Sequence, residues 1–316
     1  MMVKSAKIYV AGHCGMVGSA IVRALRREGY TNLVTRTHQE LDLCCQAAVE
    51  DFFEAEKPDY VFDAAALVGG IAANSKSPAD FFYINMQMQN NLIWAAHTHK
   101  VRKLLFLGSA CMYPRECGQP MEEERLLTGL PEYTNEGYAL AKIGGSRLCS
   151  YLRRQYGDDF ISAIPANAYG PGDSFDQEHA HVIPALMIKY EQAQKAGDTK
   201  VVLWGTGNAK REFIYVDDLA NACLFLMEHY SSELPINIGT GEEVTILELS
   251  RMIKDIIGFD GQIICDPAKP DGMPRRIVDT GKLQRLGWRS TTDLREGLKK
   301  LWTWYLGKGH SRCDPC

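Results

Sequence analysis

The stretch that decides the fold is Lys7-Ile-Tyr-Val-Ala-Gly12-His-Cys-Gly15-Met-Val-Gly18, followed by Ser19-Ala-Ile-Val-Arg-Ala-Leu-Arg-Arg-Glu28. Its first part is a short apolar run, and its last part has apolar residues at helical spacing. The sequence therefore predicts a strand, a glycine turn and a helix. Glycines at this spacing permit a tight turn, close approach to a pyrophosphate and close helix packing, and the helix N-terminus favours the anion. We expect a dinucleotide to bind at Gly12, His13, Cys14, Gly15, Met16, Val17 and Gly18.

The alternation of strands and helices continues through the first half of the chain. Strand-like and helical stretches follow one another at 32–35, 47–56, 60–66, 79–99, 103–108, 138–156 and 160–164. This alternation predicts an α/β fold with a Rossmann-type doubly wound parallel sheet. The pattern loosens after Pro165, which predicts a smaller α/β substrate-binding lobe. We expect a nucleotide-binding domain at 1–165 with a returning segment at about 212–232, and the lobe at 166–211 and 233–316.

Composition and charge exclude several classes of protein. The 316 residues are 46% hydrophobic and 23% charged, with a net charge of −4. These values argue against a nucleic-acid coat or a membrane-surface role. No apolar run reaches the ~18 residues of a transmembrane helix, and the N-terminus runs into a strand without a signal-peptide pattern. We expect a cytoplasmic location.

The ten cysteines are scattered along the chain. In a reducing compartment they are expected to be free thiols. Cys313-Asp-Pro-Cys316 is the only C-x-x-C, and one such pair without a second nearby is a weak metal signal. We expect no metal site and a functionally idle tail.

The end of the second strand indicates which dinucleotide binds. A domain of this kind that binds NAD normally has an acidic residue there, for the ribose hydroxyls. Here the run Leu33-Val34-Thr35 ends in Arg36. A guanidinium suits a 2′-phosphate, because it makes paired charge-assisted hydrogen bonds. We therefore expect NADP(H), with Arg36 at its phosphate; the alternative is that Arg36 is a solvated surface side chain.

A second group of residues predicts a nicotinamide-dependent reductase. Ser109 follows the run Leu104-Leu-Phe-Leu-Gly108, so it lies at the carboxyl end of a strand, where doubly wound sheets bind ligands. Tyr138 and Lys142 are four residues apart and share one face of a helix. We expect the ammonium to lower the pKa of Tyr138, so that the phenol gives a proton to a carbonyl oxygen during hydride transfer. Ser109 would hydrogen-bond the same oxygen.

These residues resemble the extended short-chain dehydrogenase/reductase family. Further stretches that narrow the match are Gly12-His-x-Gly-Met-Val-Gly-Ser19, Ala64-Ala-Ala-x-Val-Gly-Gly-Ile71, Leu104-Leu-Phe-Leu-Gly-Ser109-x-Cys111-x-Tyr-Pro114, His181-Val-Ile-Pro-Ala185, Arg211-Glu-Phe213 and Lys269-Pro-Asp-Gly272. The resemblance runs from about residue 5 to residue 305. It implies an NADPH-dependent enzyme that epimerises GDP-4-keto-6-deoxy-D-mannose at C3 and C5 and then reduces its C4 ketone.

The resemblance also implies a role for Cys111. Protons on C3 and C5 of a 4-keto sugar lie beside the carbonyl, and their removal forms an enolate whose oxygen would face Ser109 and Tyr138. By the resemblance, Cys111 is the base and His181 is the acid on the opposite face. A free cysteine, with a pKa of about 8.5, needs only a modest lowering to act near neutrality. His179 is a rival from the residues alone, and the His-Val-Ile-Pro-Ala match selects His181.

The remaining site residues follow from the same resemblance. It implies contacts with the GDP-sugar at Lys189, Trp204, Arg211 and Asp271. It implies further cofactor contacts at Leu107, Gly108, Ser109, Ala110, Lys142, Pro165, Ala166, Asn167, Ala168 and His181. Cys14 departs from the family pattern, in which bacterial members often have an arginine that helps to hold the NADP phosphate. The departure leaves Arg36 with more of that task.

The resemblance bears on partners as well. It implies a homodimer, and we expect the two chains to meet through long helical stretches such as 79–99 and 138–156. We expect no nucleic-acid partner and no membrane partner.

Two alternatives are weighed against the epimerase and reductase. A simple NADP-dependent 4-reductase of a nucleotide keto sugar would need neither Cys111 nor His181. A non-catalytic NADP-binding regulatory protein would not need the set of Ser109, Tyr138 and Lys142. The presence of both sets favours the two-stage enzyme.

Overall fold

The structure is a computed structural model that describes residues 2–176, 180–269 and 271–307. His179, Cys313 and Cys316 lie outside these residues. The strands, in chain order, are β1 (Ile8–Ala11), β2 (Leu33–Val34), β3 (Tyr60–Asp63), β4 (Lys103–Leu107), β5 (Phe160–Pro165), β6 (Asn167–Tyr169), β7 (Lys200–Trp204), β8 (Lys210–Arg211), β9 (Phe213–Tyr215), β10 (Ile236–Ile238), β11 (Val244–Thr245), β12 (Gln262–Asp266) and β13 (Arg275–Arg276). The α-helices are α1 (Met16–Arg27), α2 (Gln46–Glu56), α3 (Ile71–Lys76), α4 (Pro78–Thr98), α5 (Glu136–Tyr156), α6 (Val182–Ala196), α7 (Val216–His229), α8 (Ile246–Ile257), α9 (Gly281–Arg285) and α10 (Leu294–Gly307).

Six strands form one parallel sheet in the order β10-β5-β4-β3-β1-β2. Because β1 lies between β2 and β3, the direction of winding reverses between β1 and β3. The ligand crevice of a doubly wound sheet lies outside the carboxyl ends of the strands at such a reversal. The predicted Rossmann-type α/β fold is confirmed, and its crevice lies at Gly12, which follows β1.

Alternate residues of the central strands supply two separate cores. Ile8 and Val10 of β1 pack in the core shared with α1 and α7, whereas Tyr9 and Ala11 pack in the core shared with α2, α4 and α5. All four are almost fully buried. A parallel strand covered on both faces is apolar at every position, as β1 is. The two helix layers therefore fix the strand ends that carry the site.

A third core belongs to the smaller α/β lobe that the sequence predicts. It contains α6, α8 and α10 together with the parallel pair of β7 and β12. α8 begins with a capping box: Thr245 Oγ accepts the N–H of Glu248 at 3.1 Å, and the Glu248 carboxylate accepts the N–H of Thr245 at 2.9 Å. This lobe presents the end of β7 beside the loop that follows β12.

The chain crosses between the two parts more than once. α7 packs on α1, where Arg23 donates to the Asp217 carboxylate at 2.7 Å. β10 then joins the central sheet beside β5. We propose a nucleotide-binding part of about 1–165 whose returning segment continues past residue 232 to the end of β10, with the remaining residues in the substrate lobe.

Within the described ranges, no helix combines the length and the hydropathy needed to cross a membrane. The free thiols in the same ranges include Cys44, Cys45, Cys111, Cys117, Cys149, Cys223 and Cys265.

Candidate active site

The loop after β1 is packed too tightly for a side chain at two of its glycines. Gly12 has a φ of +73°, and a Cβ there would lie 2.7 Å from the carbonyl oxygen of Ala64, which follows β3. A Cβ on Gly18 would lie 2.1 Å from the carbonyl oxygen of Gly12. Gly15 is exposed, and a Cβ on it would meet only the Gly12 oxygen, at 3.4 Å. The outer glycines therefore close the loop, while the middle one leaves the backbone open to a ligand.

The helix that follows this loop has a free N-terminus. α1 begins at Met16, its N-cap Gly15 supplies no side-chain cap, and its first turn contains no acidic residue. Backbone N–H groups at such an end, together with the helix dipole, attract an anion. His13 and Cys14 border the loop, with Cys14 Sγ 3.3 Å from His13 Nε2. The arrangement fits the pyrophosphate of a dinucleotide.

Arg36 lies just beyond the end of β2, and its guanidinium pairs with Glu56. Arg36 Nη2 is 2.5 Å from Glu56 Oε1, and Arg36 Nη1 donates to the carbonyl of Thr35 at 2.8 Å. Lys7 Nζ lies 3.2 Å from the other carboxylate oxygen of Glu56. Glu56 is thus shared between two cations, and the Arg36 side chain is still 34% exposed. The Arg36 side chain is therefore partly accessible to a ligand.

Ser109 caps a short 3₁₀ turn, Ala110–Met112, at the end of β4. Its Oγ accepts the N–H of Cys111 at 3.3 Å, and its side chain also hydrogen-bonds the Tyr138 hydroxyl. Because the cap fixes the backbone of Cys111, the thiol is held beside the two hydroxyls. All three side chains are partly exposed. Ser109, Cys111 and Tyr138 therefore share one accessible place at the sheet edge.

The Cys111 thiol receives a hydrogen bond from Asn135. Asn135 Nδ2 is 3.1 Å from Cys111 Sγ, and Oδ1 of the same amide is buried without a partner among the described residues. Asn135 precedes α5, where asparagine commonly caps a helix, yet its side chain makes no cap. The amide donates to the thiol instead.

Lys142 lies one turn after Tyr138 on α5 and is almost fully buried. Its Nζ is 4.7 Å from the centroid of the Phe106 ring. Burial lowers the pKa of Lys142, and the charge of Asp63 raises it. Conversely, burial raises the pKa of Asp63 to about 6, and Lys142 lowers it. The ammonium and the carboxylate therefore stabilise each other beneath the site.

Asp63 ends β3 and is also buried. One carboxylate oxygen accepts the N–H of Ala65 at 3.2 Å, and the other has no hydrogen-bond partner among the described residues. The incomplete hydrogen bonding explains why desolvation outweighs the attraction of Lys142.

The pKa of Tyr138 differs from the sequence expectation. Burial raises it, the nearby Cys111 raises it further, and the hydrogen bond with Ser109 lowers it. The Lys142 ammonium lies over the Phe106 ring. The phenol therefore keeps its proton at neutral pH, which suits a proton donor.

His181 precedes α6 in the second lobe. Its Nδ1 is 3.5 Å from Oδ1 of Asp173, a buried carboxylate that follows β6. This pairing raises the pKa of His181, and burial opposes it. The His181 side chain is 50% exposed. Among the described residues, no hydrogen bond or ion pair joins His181 to Cys111.

The residues expected at the GDP-sugar surround the end of β7. Trp204 ends that strand, is 66% exposed, and has Lys269 Nζ 5.5 Å from its ring centroid. Asp271 accepts from the N–H and the hydroxyl of Thr206, at 2.6 and 2.8 Å. Lys189 donates to the carbonyl of Val202 in the same strand. Three of the four expected residues thus lie at one edge of the lobe.

Arg211 lies beside the loop after β12. Its Nη1 donates to the carbonyl of Met273 at 2.7 Å. Arg276 is near enough for its charge to lower the pKa of Arg211, after the larger effect of burial. Arg276 Nη2 also donates to the carbonyl of Ala110 at 3.0 Å, so a cation of the second lobe reaches the turn after β4.

The other residues expected at the cofactor lie along the carboxyl ends of β4 and β5 and in β6. Gly108 N donates to Ala163 at 2.8 Å, and Ala166 N donates to Ile238 at 2.8 Å, so both backbones are fixed in the sheet. Asn167 is exposed, and its Nδ2 donates to the carbonyl of Glu212 at 2.9 Å. The set comprises Leu107, Gly108, Ala110, Pro165, Ala166, Asn167 and Ala168.

Sequence reasoning missed four side chains at this site. Asn135 reads as a helix cap and Asp173 as a turn residue, so neither local pattern indicates a side-chain partner. Arg276 carries no local signal, because its contact depends on how the lobes pack. Asp63 did offer a local signal, because an acidic residue within a buried strand is rarely without a partner or a function.

The chain belongs to the NAD dependent epimerase/dehydratase family, which its residues 8–239 match. Among curated proteins it is similar to GDP-L-fucose synthase 1 of Arabidopsis thaliana, with 54% identity over 303 residues that cover 96% of this chain and 94% of that protein. The predicted resemblance to extended short-chain dehydrogenase/reductases is confirmed, and the protein is an enzyme of that class.

Two solved structures are also similar. A GDP-L-fucose synthetase from Naegleria fowleri bound to NADP has a TM-score of 0.91 and 30% identity, covering 98% of this chain and 97% of that one. A GDP-mannoheptose C4 reductase from Campylobacter jejuni with NADP bound has a TM-score of 0.88 and 38% identity, covering 97% and 100%. The fold and a nicotinamide cofactor are thus common to the group.

We predict that Asp63→Asn changes how stability depends on pH. Folding raises the pKa of Asp63 from 3.8 to about 6. The folded state therefore holds this proton more tightly, and the contribution of Asp63 to stability falls as pH rises through that interval. Relative to the variant, the wild type should lose about 3 kcal/mol of unfolding free energy between about pH 4 and pH 7. Urea unfolding at several pH values measures the difference.

Asp80→Asn is the control for that measurement, because Asp80 is an exposed carboxylate on α4. Its difference from the wild type should not vary over the same pH range. An equally constant difference for Asp63→Asn would show that Asp63 titrates normally in the folded protein.

Proposed function

We propose that the protein converts GDP-4-keto-6-deoxy-D-mannose to GDP-L-fucose, by epimerisation at C3 and C5 followed by reduction of the C4 ketone with NADPH. The observation that carries the proposal is the position of the Cys111 thiol. It shares a capped turn with Ser109, and its charge acts on Tyr138. A carbonyl oxygen that faces both hydroxyls therefore has the thiol near the carbons beside it.

In the first stage, Ser109 and Tyr138 stabilise an enolate. Removal of a proton beside the ketone moves negative charge onto the carbonyl oxygen, where two hydroxyl donors favour it. Cys111 accepts the proton as a thiolate, with Asn135 donating to the sulfur. His181 returns a proton to the opposite face, which inverts the carbon. The thiol and the imidazole then exchange protons with solvent.

In the second stage, Tyr138 donates a proton to the same oxygen. Bound NADPH would supply the hydride to C4. The raised pKa of Tyr138 keeps the proton on the phenol until the alkoxide forms. Lys142, whose charge Asp63 supports, would hold the ribose hydroxyls of the cofactor.

The edge of the second lobe supplies recognition of the GDP group. Lys189, Arg211 and Arg276 place three cations along this edge, which suits a diphosphate. Trp204 offers an exposed aromatic face for the base or the ribose. Since Arg276 also contacts the Ala110 carbonyl, a diphosphate bound there would lie close to the turn that carries Cys111.

Preference for NADP(H) over NAD(H) rests on Arg36. Its side chain is partly accessible, and Lys7 can neutralise Glu56 when Arg36 turns toward a phosphate. The two similar structures contain NADP.

A 4-reductase without epimerisation is the second candidate. Similarity to a GDP-mannoheptose C4 reductase favours it. Such an enzyme needs no base beside the carbonyl, so the hydrogen bond from Asn135 to the Cys111 thiol supports the two-stage reaction instead.

The decisive experiment follows solvent deuterium into the product. In D₂O, we expect the wild type to form GDP-L-fucose with deuterium at both C3 and C5, because each inversion returns a solvent proton. Mass spectrometry and NMR of the product locate the label. A reduced GDP-sugar without deuterium at these carbons would favour the simple reductase.

Two substitutions should separate the stages. Tyr138→Phe should slow NADPH oxidation by about 10²- to 10⁴-fold while exchange at C3 or C5 survives, because the proton donor of reduction is lost. Cys111→Ser should slow both exchange and fucose formation to a similar extent while NADPH binding is unchanged. Rapid mixing with substrate, with and without NADPH, measures the two stages.

Tyr133→Phe and Cys117→Ser are the controls for these substitutions. Tyr133 is exposed, and Cys117 is a free thiol outside the site. Both variants should behave as the wild type does. Normal reduction by Tyr138→Phe, or normal exchange by Cys111→Ser, would contradict the assigned role.

Arg36→Ala should weaken NADPH binding more than NADH binding. Loss of a charge-assisted pair to the 2′-phosphate should raise the Kd for NADPH by about 10- to 100-fold and leave the Kd for NADH within about twofold. Fluorescence titration measures both. Glu56→Gln keeps Arg36 and removes the carboxylate that competes with the 2′-phosphate for it. This variant should therefore bind NADPH at least as well as the wild type. A wild-type preference for NADH would refute the assignment.

We also propose a homodimer. α4 and α5 lie side by side and expose large apolar side chains at Phe82, Tyr83, Trp94, Leu140, Tyr151 and Tyr156. Such a patch is typical of a protein interface, and two such helix pairs would form a four-helix bundle.

Light scattering should therefore give twice the chain mass of 35.3 kDa. Leu140→Arg should shift the protein toward single chains, since it buries a charge in the interface. Leu286→Arg, an exposed leucine after α9, should leave the mass unchanged. A wild type that remains a single chain at micromolar concentration would refute the dimer.

A cytoplasmic location is the last part of the proposal. The free thiols of exposed Cys45 and half-buried Cys117 support it, because such thiols persist in a reducing compartment. Cell fractionation is the direct test.

A further inference from the structure

One acidic side chain close to His181 has no part in the function proposed so far. Asp173 follows β6, and its side chain is 3% exposed. Its Oδ1 accepts the N–H of Ser174 at 2.9 Å, whereas Oδ2 is buried without a hydrogen-bond partner among the described residues. A buried carboxylate with one oxygen unpartnered is costly unless a cation stands beside it.

The side chain that stands beside it is His181, which supplies that cation when its ring is protonated. His181 Nδ1 lies 3.5 Å from Asp173 Oδ1. Asp173 is the ionisable group whose charge acts on His181, and it favours the protonated ring. With Nδ1 at the carboxylate, Nε2 is the nitrogen left for another partner. The half-exposed ring is accessible to a ligand.

The loop that carries Asp173 is held in place by two glycines. A Cβ on Gly170, where φ is +150°, would lie 2.5 Å from Val216 Cγ1. A Cβ on Gly172, where φ is +96°, would lie 3.1 Å from Met16 Cα, at the start of α1. The carboxylate is therefore anchored to the nucleotide-binding part, whereas His181 belongs to the second lobe.

We propose that Asp173 is a positioning residue for epimerisation, whose carboxylate holds Nδ1 of His181 so that a protonated Nε2 faces the substrate. The proposal rests on the function proposed above. In each inversion, the proton leaves Nε2 for the ring carbon that Cys111 has deprotonated. The imidazolium becomes a neutral imidazole, Asp173 keeps its negative charge, and solvent returns the proton to His181.

The ion pair can be tested without substrate, by NMR titration of the ring-labelled histidines. The protein has 8 of them, and the His181 signal is the one missing in His181→Gln. We expect a wild-type midpoint above about 6.5, the value of an unperturbed histidine. Asp173→Asn, which keeps an oxygen for Ser174, should lower the midpoint by about 0.5 to 1 pH unit.

Two further variants complete the titration. Asp173→Glu should bring the His181 midpoint part of the way back to the wild-type value. Asp198 is an exposed carboxylate after the other end of α6, and Asp198→Asn should leave the midpoint unchanged. A wild-type midpoint at or below about 6.5 would overturn the proposal even if Asp173→Asn did not fold. So would an unchanged midpoint in Asp173→Asn.

The catalytic use of the pair is tested by the pH profile of deuterium uptake. Uptake needs protonated His181 together with the Cys111 thiolate, so the wild-type rate should follow a bell-shaped pH profile in which one limb reports His181. In Asp173→Asn that limb should lie at lower pH, with a rate at pH 8 reduced about 3- to 10-fold and a nearly unchanged KM. An unchanged profile despite a lowered midpoint would remove Asp173 from the reaction.

The two experiments also separate this proposal from the function on which it rests. Absence of uptake in the wild type at every pH would refute epimerisation and, with it, the catalytic use of the pair. The NMR titration would still decide whether Asp173 holds His181.

Discussion

Both stages of the proposed reaction depend on how the turn after β4 meets the start of α5. The Ser109 side chain hydrogen-bonds Tyr138, and Cys111 receives a hydrogen bond from Asn135. Ser109 and Cys111 are two positions apart in the turn. Asn135 and Tyr138 are three positions apart at the helix start, where side chains at that spacing lie on one face. The cap from Cys111 N–H to Ser109 Oγ fixes this register. A shift of one residue in either element would separate the thiol from the hydroxyls.

Buried polar groups, as well as apolar contacts, hold the second lobe to the nucleotide-binding part. Glu212 is fully buried, and its carboxylate accepts N–H groups from Thr240 at 2.7 Å, Gly241 at 2.8 Å and Val278 at 2.9 Å. Burial alone raises the pKa of such a carboxyl, and these three donors oppose that effect. Its backbone carbonyl also accepts from Asn167, one of the expected cofactor contacts. Because unsatisfied buried groups are costly, the network permits few other arrangements of the two parts.

Sequence patterns predict the fold well here because periodicity and glycine spacing are local. The strand and helix around Gly12 and the long helices α4 and α5 were all visible in the sequence. The reversal of the sheet between β1 and β3 and the return of β10 depend on tertiary packing, so no local pattern indicates them. The catalytic roles of Ser109, Tyr138 and Cys111 stay predictions, although the structure brings these side chains together.

The sequence could not indicate which distant side chains shift the pKa values of the site residues. A positive lysine four residues from a tyrosine suggests a lowered pKa, but the direction depends on where the ammonium lies. In the folded protein it lies over Phe106 and is balanced by Asp63, from a distant strand. Burial then controls the Tyr138 phenol. Such effects arise between residues far apart in the chain, so no local pattern carries them.

The two proposed proton donors differ in exposure in a way that matches how often each must act. Epimerisation at two carbons requires His181 to donate twice in each turnover, so it must regain a proton from solvent before reduction begins. Its side chain is half exposed, and Asp173 favours the protonated ring. Tyr138 donates once, at the hydride step, and its raised pKa keeps it from losing the proton to the thiolate nearby. His181 would exchange its proton with solvent, whereas Tyr138 would keep its proton until the hydride step. Two inversions could therefore precede one reduction in the same pocket.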